Sequence, residues 1–253
     1  GKKMFNPIKA LRIMGVSQYE VLVLNIIRNR NKFNPKWDKI KKMFDAMEKF
    51  TFQYSVLGKM PGNRVEKLYS SYAIKFEEAA TTLSGADLSA KITALCTSVQ
   101  TDLRSILPNK IELKEKFEAY QLKRSDQSKY LAYYILTIFN EHFTIHNETE
   151  IDFSNSNLEH ILPQRPSNWG LNEQEIKGYV NLIGNLTLID RRLNSSMGNS
   201  SLDVKREKIP ESSLAINRDL LEQTNDLSVW SEQEIQERTK YLANLALDVV
   251  WVF

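Results

Sequence analysis

Apolar residues return at three- and four-residue spacing from Ser17 onward, the period of helices that bury one face. On this pattern amphipathic helices are predicted at 17–28, 36–56, 64–80, 88–106, 111–122 and 127–143. In the second of them Trp37, Ile40, Phe44, Met47, Phe50 and Tyr54 form a continuous stripe, which reads as core and not as a cofactor box. Polar or Gly/Pro punctuation separates the helices at 31–35, 58–63, Gly85, Pro108 and 124–126. There is no internal repeat and no low-complexity tract.

The period changes after Asn147. Polar residues run through Asn157, and then a short apolar run, Leu158-Glu159-His160-Ile161-Leu162, is closed by Pro163, as a strand would be. A second short run, Leu186-Thr187-Leu188-Ile189, follows Gly184-Asn185 and has the alternation and threonine content of a strand. It gives way to a helix-compatible stretch from Asp190 to Met197. The order is strand, excursion, strand, helix, and the excursion is predicted to hold a short helix over 172–182, led by Trp169-Gly170. A last helix opens on the capping box Ser231-x-x-Glu234 and places Ile235, Arg238, Leu242, Leu245 and Val249 on one face. The expected fold is therefore mainly α, a helical bundle with an embedded small ββα motif. Its expected parts are a helical region at 1–147, the ββα unit at 148–210 and a helical segment at 211–253 that packs back on the body.

Composition narrows the class. At 253 residues, with 42% hydrophobic and 26% charged residues, the chain can bury one large core or two ordinary ones. Nine glycines and seven prolines are too few for a many-turned all-β fold. The single cysteine, Cys96, lies among Ile92, Leu95 and Val99, so packing is its expected role and a reducing cytoplasm its expected setting. No uncharged apolar run is long enough to span a membrane, and the first residues lack the apolar core of a signal peptide. Because the chain opens Gly1-Lys2-Lys3 with its first Met at position 4, it reads as a piece of something longer.

Charge is unevenly spread. Residues 1–50 hold twelve Lys and Arg against four acids, a net +8, whereas residues 201–253 hold six against ten, a net −4. A basic leading end can supply the sequence-independent attraction that phosphates exert, and Lys39, Lys41 and Lys42 are candidate DNA contacts on that ground. The alternative, that these lysines only solvate a helix face, stays open at this point.

Phosphodiester hydrolysis at neutral pH needs a base to take a proton from water and a cation to offset charge on the phosphate and leaving oxygen. Histidine, with an unperturbed pKa of about 6.5, suits the first role, and one carboxylate with one amide oxygen can hold a Mg²⁺ that keeps several waters. His160 and the pair Glu159 and Asn194 are the candidates.

The strings Glu159-His160-Ile161-Leu162-Pro163-Gln164 and Ile183-Gly184-Asn185-Leu186-Thr187-Leu188-Ile189, followed by Asn194 and Gly198-Asn199, resemble the signature of HNH (ββα-metal) nucleases. The resemblance is nearest to the C-terminal nuclease domain of GmrSD-type modification-dependent restriction enzymes, whose relatives include SspE-like phosphorothioation-linked defence nucleases. The acid-His-Ile-x-Pro-Gln string and the Asn185-to-Asn194 interval are also similar to the HNH domain of RNA-guided CRISPR nucleases, though no guide-binding region is present. The resemblance implies a bacterial, cytoplasmic, antiviral restriction nuclease that cuts or nicks DNA with Mg²⁺ or Mn²⁺. In it His160 would activate water, Asn185 would orient the imidazole, and Glu159 and Asn194 would hold the metal. Asn199 and Lys205 would contact phosphate or support the site. It also implies an upstream sensing or nucleotide-binding domain in the full-length protein.

Two features depart from the pattern. The residue before the histidine is Glu where many such sites have Asp, and in an ideal strand Glu159 and His160 point to opposite faces, so the strand must end, bulge or twist there. Asn185 alone could be a turn residue and Asn194 a helix-end cap. The competing function is a non-catalytic nucleic-acid or partner-binding module with a degenerate HNH fold, and RNA is the competing substrate. His142 and His146, four apart, could face a zinc ion, but they lack the acidic partner of the HExxH arrangement, and surface histidines are the simpler reading.

Overall fold

The computed structural model describes residues 6–122, 126–144 and 155–253. The chain divides into two compact units. One runs to Leu113 and takes in Trp251–Phe253, and the other spans Lys114–Val250. The expected boundary at 147/148 lies outside the described residues, as does His146.

The first unit contains α1 (Pro7–Ile13), α2 (Glu20–Arg28), the single turn α3 (Arg30–Phe33), α4 (Trp37–Thr51), α5 (Asn63–Thr82) and α6 (Gly85–Ser105). The predicted stripe of α4 is its buried face: Ile40, Met47 and Phe50 have no exposure, and the helix packs on α1 and α6. After Thr51 the backbone loosens into a π-helix over Phe52–Leu57, where Phe52 stacks on Trp251 with ring centroids 4.3 Å apart. Gln53 Nε2 donates to the Trp251 carbonyl at 2.7 Å and Lys49 Nζ to the Val252 carbonyl at 2.7 Å. The final residues of the chain are thus part of the first core. Cys96 is buried and free, and burial pushes its thiol up to about 12, which suits packing and not reactivity.

α7 (Lys110–Glu118) spans the junction, and the second unit continues with α8 (Asp126–Phe143). There follow β1 (Ser156–His160), β2 (Leu186–Asp190), α9 (Arg191–Met197), α10 (Leu202–Lys208), α11 (Ala215–Gln223) and α12 (Glu232–Leu245). β1 and β2 form a two-stranded antiparallel sheet in which Leu158 faces Leu188, Glu159 faces Thr187 and His160 faces Leu186. Short strands like these cannot stand alone. They are covered by α8 and by α9, each packed on both strands, and α11 lies against β2 and α8. A core of Ile161, Leu162, Ile176, Leu182, Ile189, Leu193, Met197 and Trp230 closes the unit.

α12 reaches the sheet at one crowded point. Its Arg238, buried, donates from Nη1 to the Gly184 carbonyl at 2.7 Å and to the Leu186 carbonyl at 2.9 Å. A Cβ at Gly184 would run into the Ile235 carbonyl and Thr239, so glycine is required there by the approach of the helix. The capping box predicted at Ser231 and Glu234 is formed.

The excursion differs from expectation. No helix forms over 172–182; the segment is a succession of turns, held by bonds such as Val180 N to the Ile176 carbonyl at 2.9 Å. Gly178 weakens a helix here, and the far end is pulled extended: Leu122 N donates to the Asn181 carbonyl at 2.9 Å and Leu182 bridges to Gln121. Trp169 is half-buried, its Nε1 donating to the Ser200 carbonyl at 2.8 Å, while Trp230 and Trp251 are buried as packing anchors. Among the described residues no helix is long and apolar enough to cross a membrane.

Candidate active site

β1 ends at His160, the last residue to pair with β2. Glu159 points inward and is 8% exposed; His160 is half-buried. The His160 ring has polar company, with Nε2 lying 3.3 Å from Asn181 Oδ1 and 3.3 Å from Gln164 Nε2. Gln164 Nε2 in turn donates to Asn181 Oδ1 at 3.1 Å.

Asn185 does not orient the ring in the expected way. Its Oδ1 accepts from Leu162 N at 2.8 Å and from Trp230 Nε1 at 3.0 Å, and its Nδ2 donates to the Leu162 carbonyl at 2.9 Å and the Val180 carbonyl at 2.8 Å. The amide has two acceptor sites and two donor hydrogens, so these four bonds fill it. Asn185, fully buried, instead fastens the loop that leaves His160 to the start of β2, an arrangement completed by Ile161 N donating to the Asn185 carbonyl at 2.9 Å.

Glu159 meets α10. Lys205, with no exposed side chain, donates from Nζ to Glu159 Oε1 at 2.6 Å and to the His160 carbonyl at 2.6 Å. Burial pushes the Glu159 carboxyl up and the Lys205 ammonium down, each opposed by the charge of the other. An ammonium buried this deeply is not placed to meet a phosphate, so of the two roles expected for Lys205, site support is the one its position allows. Asn199 is exposed, and its backbone carbonyl accepts from Asn168 Nδ2 at 3.2 Å.

Asn194 sits half-buried on α9, and its side-chain amide has no hydrogen bond to the described residues. Nor does Glu159 Oε2. These two free oxygens are hard donors of the type a Mg²⁺ ion takes, and no group of three or more His, Cys, Asp or Glu is gathered among the described residues as an all-protein metal cage would need. At Glu159 the Lys205 ammonium alongside already competes for the carboxylate that a cation would take. Lys39, Lys41 and Lys42 are exposed on α4, in the other unit, and Lys41 Nζ lies 3.3 Å from Asp38 Oδ1.

Asn181 was not legible as a site residue. It lies in the excursion, in no motif and at no diagnostic spacing, and only the turn-by-turn path of that segment carries it to the ring. Gln164 stands inside the His-Ile-Leu-Pro-Gln string, so its neighbourhood was marked even though its contact was not.

Comparison with known proteins gives one family. The family described as GmrSD restriction endonucleases, C-terminal domain, matches residues 107–245, just over half of the chain. No curated protein matches it.

Proposed function

Because the chain belongs to the family of GmrSD restriction endonuclease C-terminal domains, we propose that it is an HNH-type, Mg²⁺-dependent (or Mn²⁺-dependent) endonuclease domain that nicks DNA in bacterial defence against phage or foreign DNA. The observation that carries this reading is the setting of His160: a half-buried imidazole at the end of a strand, held among side-chain amides, with α9 laid across both strands of the sheet. A structural histidine would be enclosed in the apolar core that Ile161 and Leu162 enter one residue later.

In the proposed reaction His160 takes a proton from water as the water oxygen bonds to phosphorus and the bond to the leaving oxygen breaks. A divalent cation at Glu159 and Asn194, when bound, would offset the negative charge that builds on the phosphate and leaving oxygen. Asn185 keeps the loop after the base in place, and Lys205 holds the last turn of β1 by its carbonyl. One such site per chain breaks one strand at a time, so nicking is the expected product. Recognition of modified or foreign DNA is assigned to a sensing or nucleotide-binding region elsewhere in the full-length protein.

One observation favours the alternative of a non-catalytic binding module: the carboxylate beside the histidine is already neutralised by Lys205. Supercoiled plasmid separates the two. The enzyme converts it to the open-circular form with Mg²⁺ or Mn²⁺, stops with EDTA, and leaves a labelled RNA competitor intact; a module that only binds leaves the plasmid supercoiled under every metal. Asn194→Ala should require more Mg²⁺ for half-maximal nicking while its metal-free DNA affinity is unchanged. Superimposable Mg²⁺ titrations would remove Asn194 from the metal site.

A further inference from the structure

We propose that the outer face of α2 is the contact of a reversible homodimer, in which two copies of the helix lie antiparallel about a two-fold axis at Leu24. The interface itself stands apart from the nuclease reading.

α2 is apolar on both sides. Six of its nine residues are aliphatic. Leu22, Val23 and Ile26 enter the core of the first unit. The other three stay in solvent, Val21 at 45% exposure, Leu24 at 65% and Ile27 at 48%. On α5, which packs against α2, Ile74 adds a fourth exposed aliphatic side chain at 60%. Between the two helices runs a groove of about 520 Å³ whose walls include Val21, Leu24, Ala73 and Ile74. A single exposed leucine needs no explanation, but a helix that is apolar all round is one that is covered all round.

The order of residues along α2 says what covers it. Antiparallel packing about Leu24 brings to one level the residues that stand equally far from it in number, and a two-fold axis makes each such contact twice. Leu24 meets Leu24 on the axis. At each end Glu20 and Val21 of one copy stand level with Arg28 and Ile27 of the other. Aliphatic groups share that level with aliphatic groups, and a carboxylate shares it with a guanidinium, both exposed and on long side chains. The parallel arrangement sets Glu20 against Glu20 and Arg28 against Arg28, which like charges oppose. Arg28 already bonds the Glu77 carboxylate of its own chain, but a guanidinium has five donor hydrogens and can serve a second carboxylate. A phosphate strand suits the groove poorly, because Arg28, the cation in its wall, is held by Glu77.

Nine residues make a helix about 14 Å long, so the contact falls below about 1,200 Å², the range of transient complexes. A dimer in the micromolar range is expected. It has a consequence that rests on the nuclease reading: where one chain nicks one strand, a dimer carries two of the proposed sites and can break both.

Sedimentation equilibrium of the full chain, from low to high micromolar concentration, tests the interface. Wild type should move from the mass of one chain, 29.3 kDa, toward twice that. Leu24→Asp sets two carboxylates against each other on the axis, and should stay at the mass of one chain with the circular dichroism of wild type. Mild oxidation of cysteine variants reads the register, since Cys96 is buried. Leu24→Cys should cross-link into a dimer. Glu20→Cys should not, because its two copies lie on either side of the axis, about 12 Å apart along the helices, and a disulfide spans Cα atoms no more than about 7 Å apart. Wild type at the mass of one chain throughout overturns the proposal and leaves the face to a different protein. Leu24→Asp that still dimerises, or Glu20→Cys that cross-links as readily as Leu24→Cys, overturns it as well. In the plasmid assay linear product should rise with wild-type concentration and be lost in Leu24→Asp, which keeps its nicking. Linear product equal in the two, or absent from a dimeric wild type that nicks, overturns the consequence and not the interface. Plasmid left uncut by a wild type that dimerises overturns the nuclease reading and not the interface.

Discussion

Lys205 carries a charge with none of its side chain exposed, and its two acceptors, Glu159 Oε1 and the His160 carbonyl, sit on adjacent residues of one strand. Burial disfavours both charged forms, which pushes the carboxyl up and the ammonium down, each opposed by the charge of the other. The pair ties α10 to the end of β1. Removing one partner leaves the other uncompensated, so Lys205→Met should destabilise the protein by about 3–5 kcal/mol in urea unfolding. Glu159→Leu combined with Lys205→Met should recover most of that loss. If the single variant unfolds at the same urea concentration as wild type, the buried pair is not what joins the two elements. The same residues show how far the sequence could be read. His160 and Asn194 were marked by spacing to a signature, but Lys205 is 46 positions from Glu159, and no local pattern announces that a lysine will be buried against a carboxylate.

At the scale of elements, what was legible was whatever is written in a short period. The longer helices of the first unit, α2, α4, α5 and α6, and the two strands follow from apolar spacing, and α12 from its capping box, because each buries one continuous face, whereas α1 and the single turn α3 lay outside the pattern read from Ser17 onward. α10 and α11 are short and gain their place from tertiary contacts with α9, β2 and α8, so the pattern alone did not single them out. The predicted helix over 172–182 failed for the converse reason: Gly178 and the bridge to Gln121 outweigh a modest apolar period. α12 also carries a pH dependence. Hydrogen bonds from Ser231 to Glu234 hold that carboxyl below the usual range. A carboxyl whose pKa is lower folded than unfolded stabilises the fold above its unfolded value, about 4.3, and that contribution is lost as pH falls through the folded value. Ser231→Ala should cost about 1 kcal/mol at neutral pH. Its deficit relative to wild type should shrink as pH falls through the acid range. A deficit constant with pH would show that the Glu234 carboxylate is not part of the cap.

For the molecule as a whole, residues 6–50, with ten Lys and Arg against four acids and a net +6, belong to the first unit and the candidate base to the second. If Lys39, Lys41 and Lys42 meet phosphates, each neutralising substitution reduces the slope of log affinity against log salt by about 1. The triple Lys→Gln variant should therefore bind DNA with a visibly flatter salt dependence. An unchanged slope assigns these lysines to solvation of the α4 surface alone. Both units lie in one chain, and the family match from 107 to 245 covers the second and leaves most of the first to be explained by its own physics.

The most direct measurement is nicking of supercoiled plasmid in Mg²⁺ by wild type and by His160→Ala, with DNA affinity determined in parallel without metal. Open-circular product from wild type, none from the variant, and equal affinity for both is the expected result. Equal nicking by the two proteins, or none by wild type with any divalent ion, would contradict a catalytic role for His160.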